Sequence, residues 1–167
     1  MALCAVALAS CGGSPSAARR TGFTYASVPS ISATMICKPE AVKIINHDLG
    51  VQTLVEPVPT WSHHRYTCPY HYVNGTMVLS VQELPSLATT SAYMATLRRT
   101  LGDTGAITSA GQGGFTTTDG SAVTRKDNKV LVVDVGALPA MFGHPATTSA
   151  EVAQTVTDVI LACWRGD

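Results

Sequence analysis

This chain carries little charge. Only 13% of its 167 residues are Asp, Glu, Lys or Arg, and 11 basic residues balance 11 acidic ones to a formal net charge of zero. Neutralising phosphates takes a basic stripe, so the composition argues against nucleic acid as a partner. Long apolar runs are missing too: after Cys11 none approaches the roughly 20 residues that cross a bilayer. There is no Gly-x-Ser-x-Gly elbow, and Asp48, Asp103, Asp119, Asp127 and Asp134 follow no catalytic pattern. Gly111-Gln-Gly-Gly114 has no Lys-Ser/Thr behind it, so it fails as a phosphate loop and reads as a tight turn before a strand. Asn74-Gly-Thr76 is formally a glycosylation sequon, but a hairpin turn explains Asn-Gly without it. Together these absences point away from an enzyme and from any cofactor.

What is present starts at the amino terminus. The apolar stretch from Met1 ends in Leu8-Ala9-Ser10-Cys11, and Gly12-Gly-Ser-Pro-Ser16 follows at once. Small residues that would admit a signal peptidase, then a cysteine whose thiol would receive lipid, resemble the processing site of a bacterial lipoprotein; the start of a buried helix or strand is the alternative. No Lys or Arg precedes the run, as a secretory leader requires, so the expectation is that translation starts upstream. Residues 1–10 are then a signal-peptide remnant, and Cys11 is the lipidated amino terminus. Residues 11–30, rich in Gly, Ser, Ala and Pro, form a flexible tether in which Arg19-Arg20 serve solubility. Buried acyl chains contribute about 0.8 kcal/mol per methylene, enough for several chains to hold a protein on the membrane essentially permanently. The expected location is the outer face of the cell membrane, and the expected first partner is the membrane itself through the anchor.

Residues 31–167 have the size of one ordinary domain and can bury a sizeable core. Within them a unit occurs twice. Asn74-Gly-Thr-Met-Val-Leu-Ser-Val-Gln-Glu-Leu-Pro85 lies over Asn128-Lys-Val-Leu-Val-Val-Asp-Val-Gly-Ala-Leu-Pro139 without a gap, and Ala-Thr-Thr-Ser-Ala follows each, at 88–92 and 146–150. Each unit reads as a turn, a strand and the cap of a helix, with Thr148 and Glu151 spaced for a capping box. Apolar period places three helices. Pro39 opens one carrying Val42, Ile45 and Leu49 and ended by Gly50; Tyr93, Met94, Leu97 and Leu101 mark another, ended by Gly102; Val152, Val156, Val159, Ile160 and Cys163 line the third. Alternation places strands at 51–58, 64–73 and 76–83, the last two joined at Asn74-Gly75, and at 114–118, 121–126 and 129–136 with a turn at Asp127-Asn128. The expected fold is α+β, in the order α-βββ-α-βββ-α, pseudo-duplicated, with a largely antiparallel sheet and helices on one face.

Three cysteines remain beyond Cys4 and Cys11, which permits three pairings and leaves one thiol over. Cys163 falls on an apolar helical stripe, where it acts as a small hydrophobe. Cys37 with Cys68 is therefore the expected disulfide, suited to an extracytoplasmic compartment; two ordinary core thiols are the alternative. Cys37-Lys-Pro-Glu-Ala-Val42, Leu49-Gly50, Thr67-Cys68-Pro-Tyr-His-Tyr72, Thr76-Met-Val-Leu-Ser-Val81, Gly111-Gln-Gly-Gly-Phe115 and the last amphipathic helix resemble the small cell-envelope lipoproteins of actinobacteria, particularly mycobacteria. The resemblance spans most of the chain through loose motifs. In that group a Trp often stands two residues after the second cysteine, where this chain has Tyr70. It implies location, fold and the disulfide, and it carries over no catalytic residue.

One stretch has ligand chemistry: Trp61-Ser-His-His-Arg-Tyr-Thr-Cys-Pro-Tyr-His-Tyr72. Three imidazoles, His63, His64 and His71, and the Cys68 thiol are groups that copper and zinc select. On an extended strand His64 and Cys68 face one way and His63 and His71 the other, and His63 lies about 26 Å from His71. One metal cannot bind them all, so an edge strand bearing exposed histidines, where Pro69 also fits, is the preferred reading. His47 and His144 are scattered in sequence. Tyr66, Tyr70 and Tyr72 share a strand face and suit either a core or an apolar ligand groove. The expected function is a non-catalytic binding domain for a partner protein of the envelope or an apolar small molecule such as a lipid, with copper or zinc binding at His63, His64 and His71 as the alternative.

Overall fold

The computed structural model describes residues 27–107 and 111–164. Cys11, Arg19-Arg20 and most of the tether lie outside the described residues. A short helix α1 (Ile31–Thr34), capped by Ser30 Oγ accepting from Ala33 N, runs through a 3-10 turn (Met35–Cys37) into α2 (Pro39–Asp48). Pro39 sits at the first turn of α2, where its missing N–H costs nothing. Then come β1 (Thr60–Ser62), β2 (Arg65–Tyr72), β3 (Gly75–Glu83) and α3 (Leu87–Leu101). After them follow β4 (Gly105–Ile107), β5 (Gly114–Thr116), β6 (Ala122–Lys126), β7 (Lys129–Ala137), β8 (Met141–Phe142), β9 (Thr147–Thr148) and α4 (Ser149–Cys163). The capping box at the start of α4 forms: Thr148 Oγ1 accepts from Glu151 N, and the Glu151 carboxylate accepts from Thr148 N at 2.9 Å. No helix among the described residues is long and apolar enough to cross a membrane.

Seven strands make one sheet, ordered β1-β2-β3-β7-β6-β5-β4, with every neighbouring pair antiparallel; β8 and β9 pair as a separate ribbon. The domain is therefore mixed α+β around an antiparallel sheet, as the alternation predicts. Two meanders, β1-β2-β3 and β5-β6-β7, meet along β3 and β7 at the centre. Met77, Leu79 and Val81 of β3 and their aligned counterparts Leu131, Val133 and Val135 of β7 all enter the same core, with Ile36, Ile45, Val156 and Ile160 from the helical layer.

The repeat stops at the strands. Ser86 caps α3 with Ala88-Thr-Thr-Ser-Ala92 already inside the helix, whereas Thr148 caps α4 from the middle of the matching pentapeptide. The helices also part company, which corrects the expectation of helices on one face. Met94 of α3, with Leu97 and Tyr93 beside it, packs on Phe115, Val123, Val130 and Val132, the strand positions alternate to those facing α2 and α4. The pleat sends consecutive residues of β7 to opposite sides, and both sides are apolar there because both are covered. Residues 67, 69, 71, 76, 78 and 80, on the α3 side of β2 and β3, are half-buried or exposed, so that face stays partly open.

Three local readings change. Residues 51–58 are not a strand: Pro57 and Pro59 lack ladder donors, and the segment runs beside β2, tied by Leu54 N donating to the His71 carbonyl at 2.7 Å. The third strand of that meander is instead β1. The β2-β3 loop is Val73-Asn74, because Tyr72 pairs with Gly75. Gly75 answers a close approach, since a Cβ there would lie 2.5 Å from the Ala137 carbonyl oxygen of β7. Finally, α1, β4, β8 and β9 add elements to the predicted order, each too short to give a periodic signal.

Candidate functional site

The histidines do not converge. His63 and His64 are the two central residues of the β1-β2 hairpin, with φ of 49° and 57°, between the paired Ser62 and Arg65. Positive φ at both positions is what a tight two-residue hairpin demands, so they occupy a turn rather than opposite faces of a strand. His63 Nδ1 meets Ser62 Oγ at 2.7 Å, and the His64 ring stands edge-on to Trp61 at 5.9 Å. His71 is at the far end of β2, its Nδ1 3.1 Å from Thr76 Oγ1. Among the described residues no group of three or more His, Cys, Asp or Glu side chains is arranged to hold a metal. Pro69 faces the open edge of β2. By the two-residue period its nitrogen lies on the same side as the His71 carbonyl that receives Leu54, beyond the end of β1.

Cys37 and Cys68 form a disulfide with Cα atoms 5.6 Å apart, and Cys163 is free and half-buried on α4. The three tyrosines share the inward face, but they do not line a common groove. Tyr70 is fully buried and its hydroxyl donates to the Ile36 carbonyl at 2.6 Å; Tyr66 is half-buried against the same core. Tyr72 borders a hollow. Burial pushes the phenols of Tyr70 and Tyr72 well above the usual tyrosine range, so both are neutral donors. A buried tyrosine packs its ring in the core while its hydroxyl finds a hydrogen-bond partner, here the Ile36 carbonyl for Tyr70 and Asn46 Oδ1 for Tyr72.

The concave surface lies beside α2. A hollow of about 850 Å³ is walled by the end of α2 with Gly50 to Gln52, the β2-β3 turn, and Met141 to His144. A second, of about 560 Å³, lies between α2 and residues 52–57 and reaches Cys37. Both volumes fall in the range of small-molecule sites. Asn46, His47 and Gln52 border both, so these three residues are the divide between adjoining hollows.

No protein-family model, curated protein or solved structure matches this chain.

The local geometry therefore carries the argument. Remote segments close the larger hollow through backbone contact: His144 N donates to the Leu49 carbonyl at 2.8 Å, and a Cβ on Gly50, whose φ is +62°, would lie 2.2 Å from the His144 carbonyl oxygen. His47 and His144 thus come to one hollow, whose lining includes none of His63, His64 and His71. His47 Nδ1 lies 3.0 Å from Asp48 Oδ1. Exposed Val73 and Met141 stand at the rim of the first hollow, and exposed Leu54 and Val55 at the second. Nothing in the local sequence marks Asn46, Gln52 or Phe142 as a set, because they meet only after α2, the β2-β3 turn and the β8-β9 ribbon have packed. Leu49-Gly50 is the one partial signal, a helix stop where a second backbone passes.

A polar cluster in the turn between β5 and β6 bears on stability. Asp119 accepts from the Thr117 hydroxyl and, at 3.0 Å, from Ser121 N. Burial raises its carboxyl pKa, but the hydrogen bonds from Thr117 and Ser121 outweigh that and hold it below the usual 3.8. A depressed folded value means the contribution is complete above the unfolded pKa and lost as pH falls through the folded one. Asp119→Asn is expected to destabilise the domain at pH 7 and to match the parent at pH well below 3.8. Urea midpoints of both proteins across that range would show it; a difference that persisted at low pH would assign the loss to packing instead.

Proposed function

We propose that this chain is a lipid-anchored protein of the cell envelope, held on the outer face of the cell membrane through Cys11, whose domain is a non-catalytic binding module for an apolar small molecule or an envelope partner protein. Three observations support the reading. Leu8-Ala9-Ser10-Cys11 followed by a Gly/Ser/Pro tether has the form of a lipid-attachment site. The Cys37 and Cys68 disulfide is the kind of bond that persists outside the reducing cytoplasm. The pair of hollows beside α2, rimmed by exposed Leu54, Val55, Val73 and Met141, is the observation that carries binding. The resemblance to small actinobacterial lipoproteins agrees with this location. Metal binding at His63, His64 and His71 is not taken further, since the fold sets the first two and the third at opposite ends of β2.

The test of the anchor is the intact mass of protein isolated from its native membrane with lipid retained, before and after reduction. The expected mass is that of acylated Cys11 onward, rising by two hydrogens on reduction. A fully reduced, unacylated chain beginning at Met1 would overturn the envelope reading.

A further inference from the structure

Asn46 is the buried polar residue at the divide between the two hollows. It is 5% exposed, yet its side-chain bonds are long: Nδ2 donates to Thr53 Oγ1 at 3.3 Å, and Oδ1 accepts from the Tyr72 hydroxyl at 3.5 Å. Ordinary bonds of these types lie near 2.9 and 2.8 Å. A primary amide has two N–H donors and two acceptor lone pairs, and these two bonds use half of that capacity. Strong bonding by a group that enters the divide is therefore favourable, because a buried amide gains most from the partners it lacks.

Apolar side chains stand on either side. Val51, Tyr72 and Phe142 line the first hollow; Val42, Leu54 and Val55 line the second. Charge near the divide is balanced. Lys43 and Glu56 both border the second hollow, and His47 is beside Asp48. A site with an uncharged amide at its centre and no surplus of either sign disfavours an ionic head, whose desolvation would go uncompensated.

We infer that the two hollows form one site for a neutral single-chain amphiphile, whose ester, amide or hydroxyl group bonds to Asn46 at the divide and whose aliphatic chain lies along the apolar side chains beside it. This rests on the binding-module reading above and narrows it to a ligand class. Polarity gathers at the divide, where Asn46 is flanked by His47 and Gln52 and apolar side chains stand to either side, so chain and head are recognised together.

The experiment is a titration of the delipidated full chain, followed by amide NMR shifts, with 1-monooleoylglycerol as probe and oleate and glycerol as comparisons. Saturable shifts are expected at Val51 and Phe142 and also at Leu54 and Val55. Oleate should bind about tenfold more weakly, and glycerol should not bind. Asn46→Leu should weaken monooleoylglycerol about tenfold. Val55→Asp, at a position 58% exposed where the fold tolerates a charge, should weaken it at least as much. Oleate binding as tightly as monooleoylglycerol, or either substitution leaving affinity unchanged, overturns the inference while the broader binding reading stands. No saturable shift with either amphiphile overturns it and removes the small-molecule half of that reading as well.

Discussion

Replacing Cys37 and Cys68 together by alanine is expected to lower the unfolding free energy by about 3 to 4 kcal/mol. The bridge spans 31 residues of sequence. Closing a loop of that length removes conformational freedom chiefly from the unfolded chain, and the cost grows only slowly with length. What the bond joins makes the loss local as well. Cys37 ends the 3-10 turn that leads into α2, and Cys68 lies fully buried in the middle of β2. Without it, α2 is held to the sheet by Ile36, Ala41 and Ile45 in the core and by the Tyr70 hydroxyl on Ile36. Cys37 also borders the second hollow, so amphiphile binding should weaken in the same variant. Urea unfolding of parent and double variant measures the first effect. Equal midpoints would mean that the core already fixes α2 and that the disulfide adds little.

The parts of this fold legible in the sequence are those whose signal is local. The β-branched and apolar runs Thr76-Met-Val-Leu-Ser-Val81 and Val130-Leu-Val-Val-Asp-Val135, each bounded by a turn signal, place the central strands, the second apolar on both faces because both are covered. Thr148 and Glu151 are three residues apart, and that spacing alone defines a capping box. The Cys37 and Cys68 pairing followed from Cys163 having a place on a helical stripe. Other features depend on partners distant in sequence. His63-His64 reads as the start of a strand until Ser62 is seen to pair with Arg65, and neither residue is the Asn or Gly that normally marks such a turn. The hollows escaped notice for the same reason. Leu49-Gly50 and Gly143-His144 are almost a hundred residues apart, and only packing makes them one wall.

The structure puts α3 on the opposite face of the sheet from α2 and α4, and Phe115→Ala tests that placement with an expected cost of about 3–5 kcal/mol. Phe115 is fully buried between Met94 of α3 and Val123 and Val130 of the sheet, and the Arg98 guanidinium carbon stands 4.6 Å from its ring centre. Truncation removes the ring, opens a cavity under α3 and deletes the cation-ring contact. This is a small core, with four buried members, so its remaining side chains have little freedom to collapse into the space. The damage should be confined to that face. Hydrogen exchange is expected to accelerate through Leu87–Leu101 and to stay near the parental rate in α4, whose Val152, Val156 and Ile160 pack on the other side of the same strands. A sheet with all its helices on one face would behave differently. Phe115 would then share a core with α4, and the two helices would loosen together. Selective loosening of α3 is thus the result that separates the two architectures, and the ring of Phe115 is the single group on which α3 most depends.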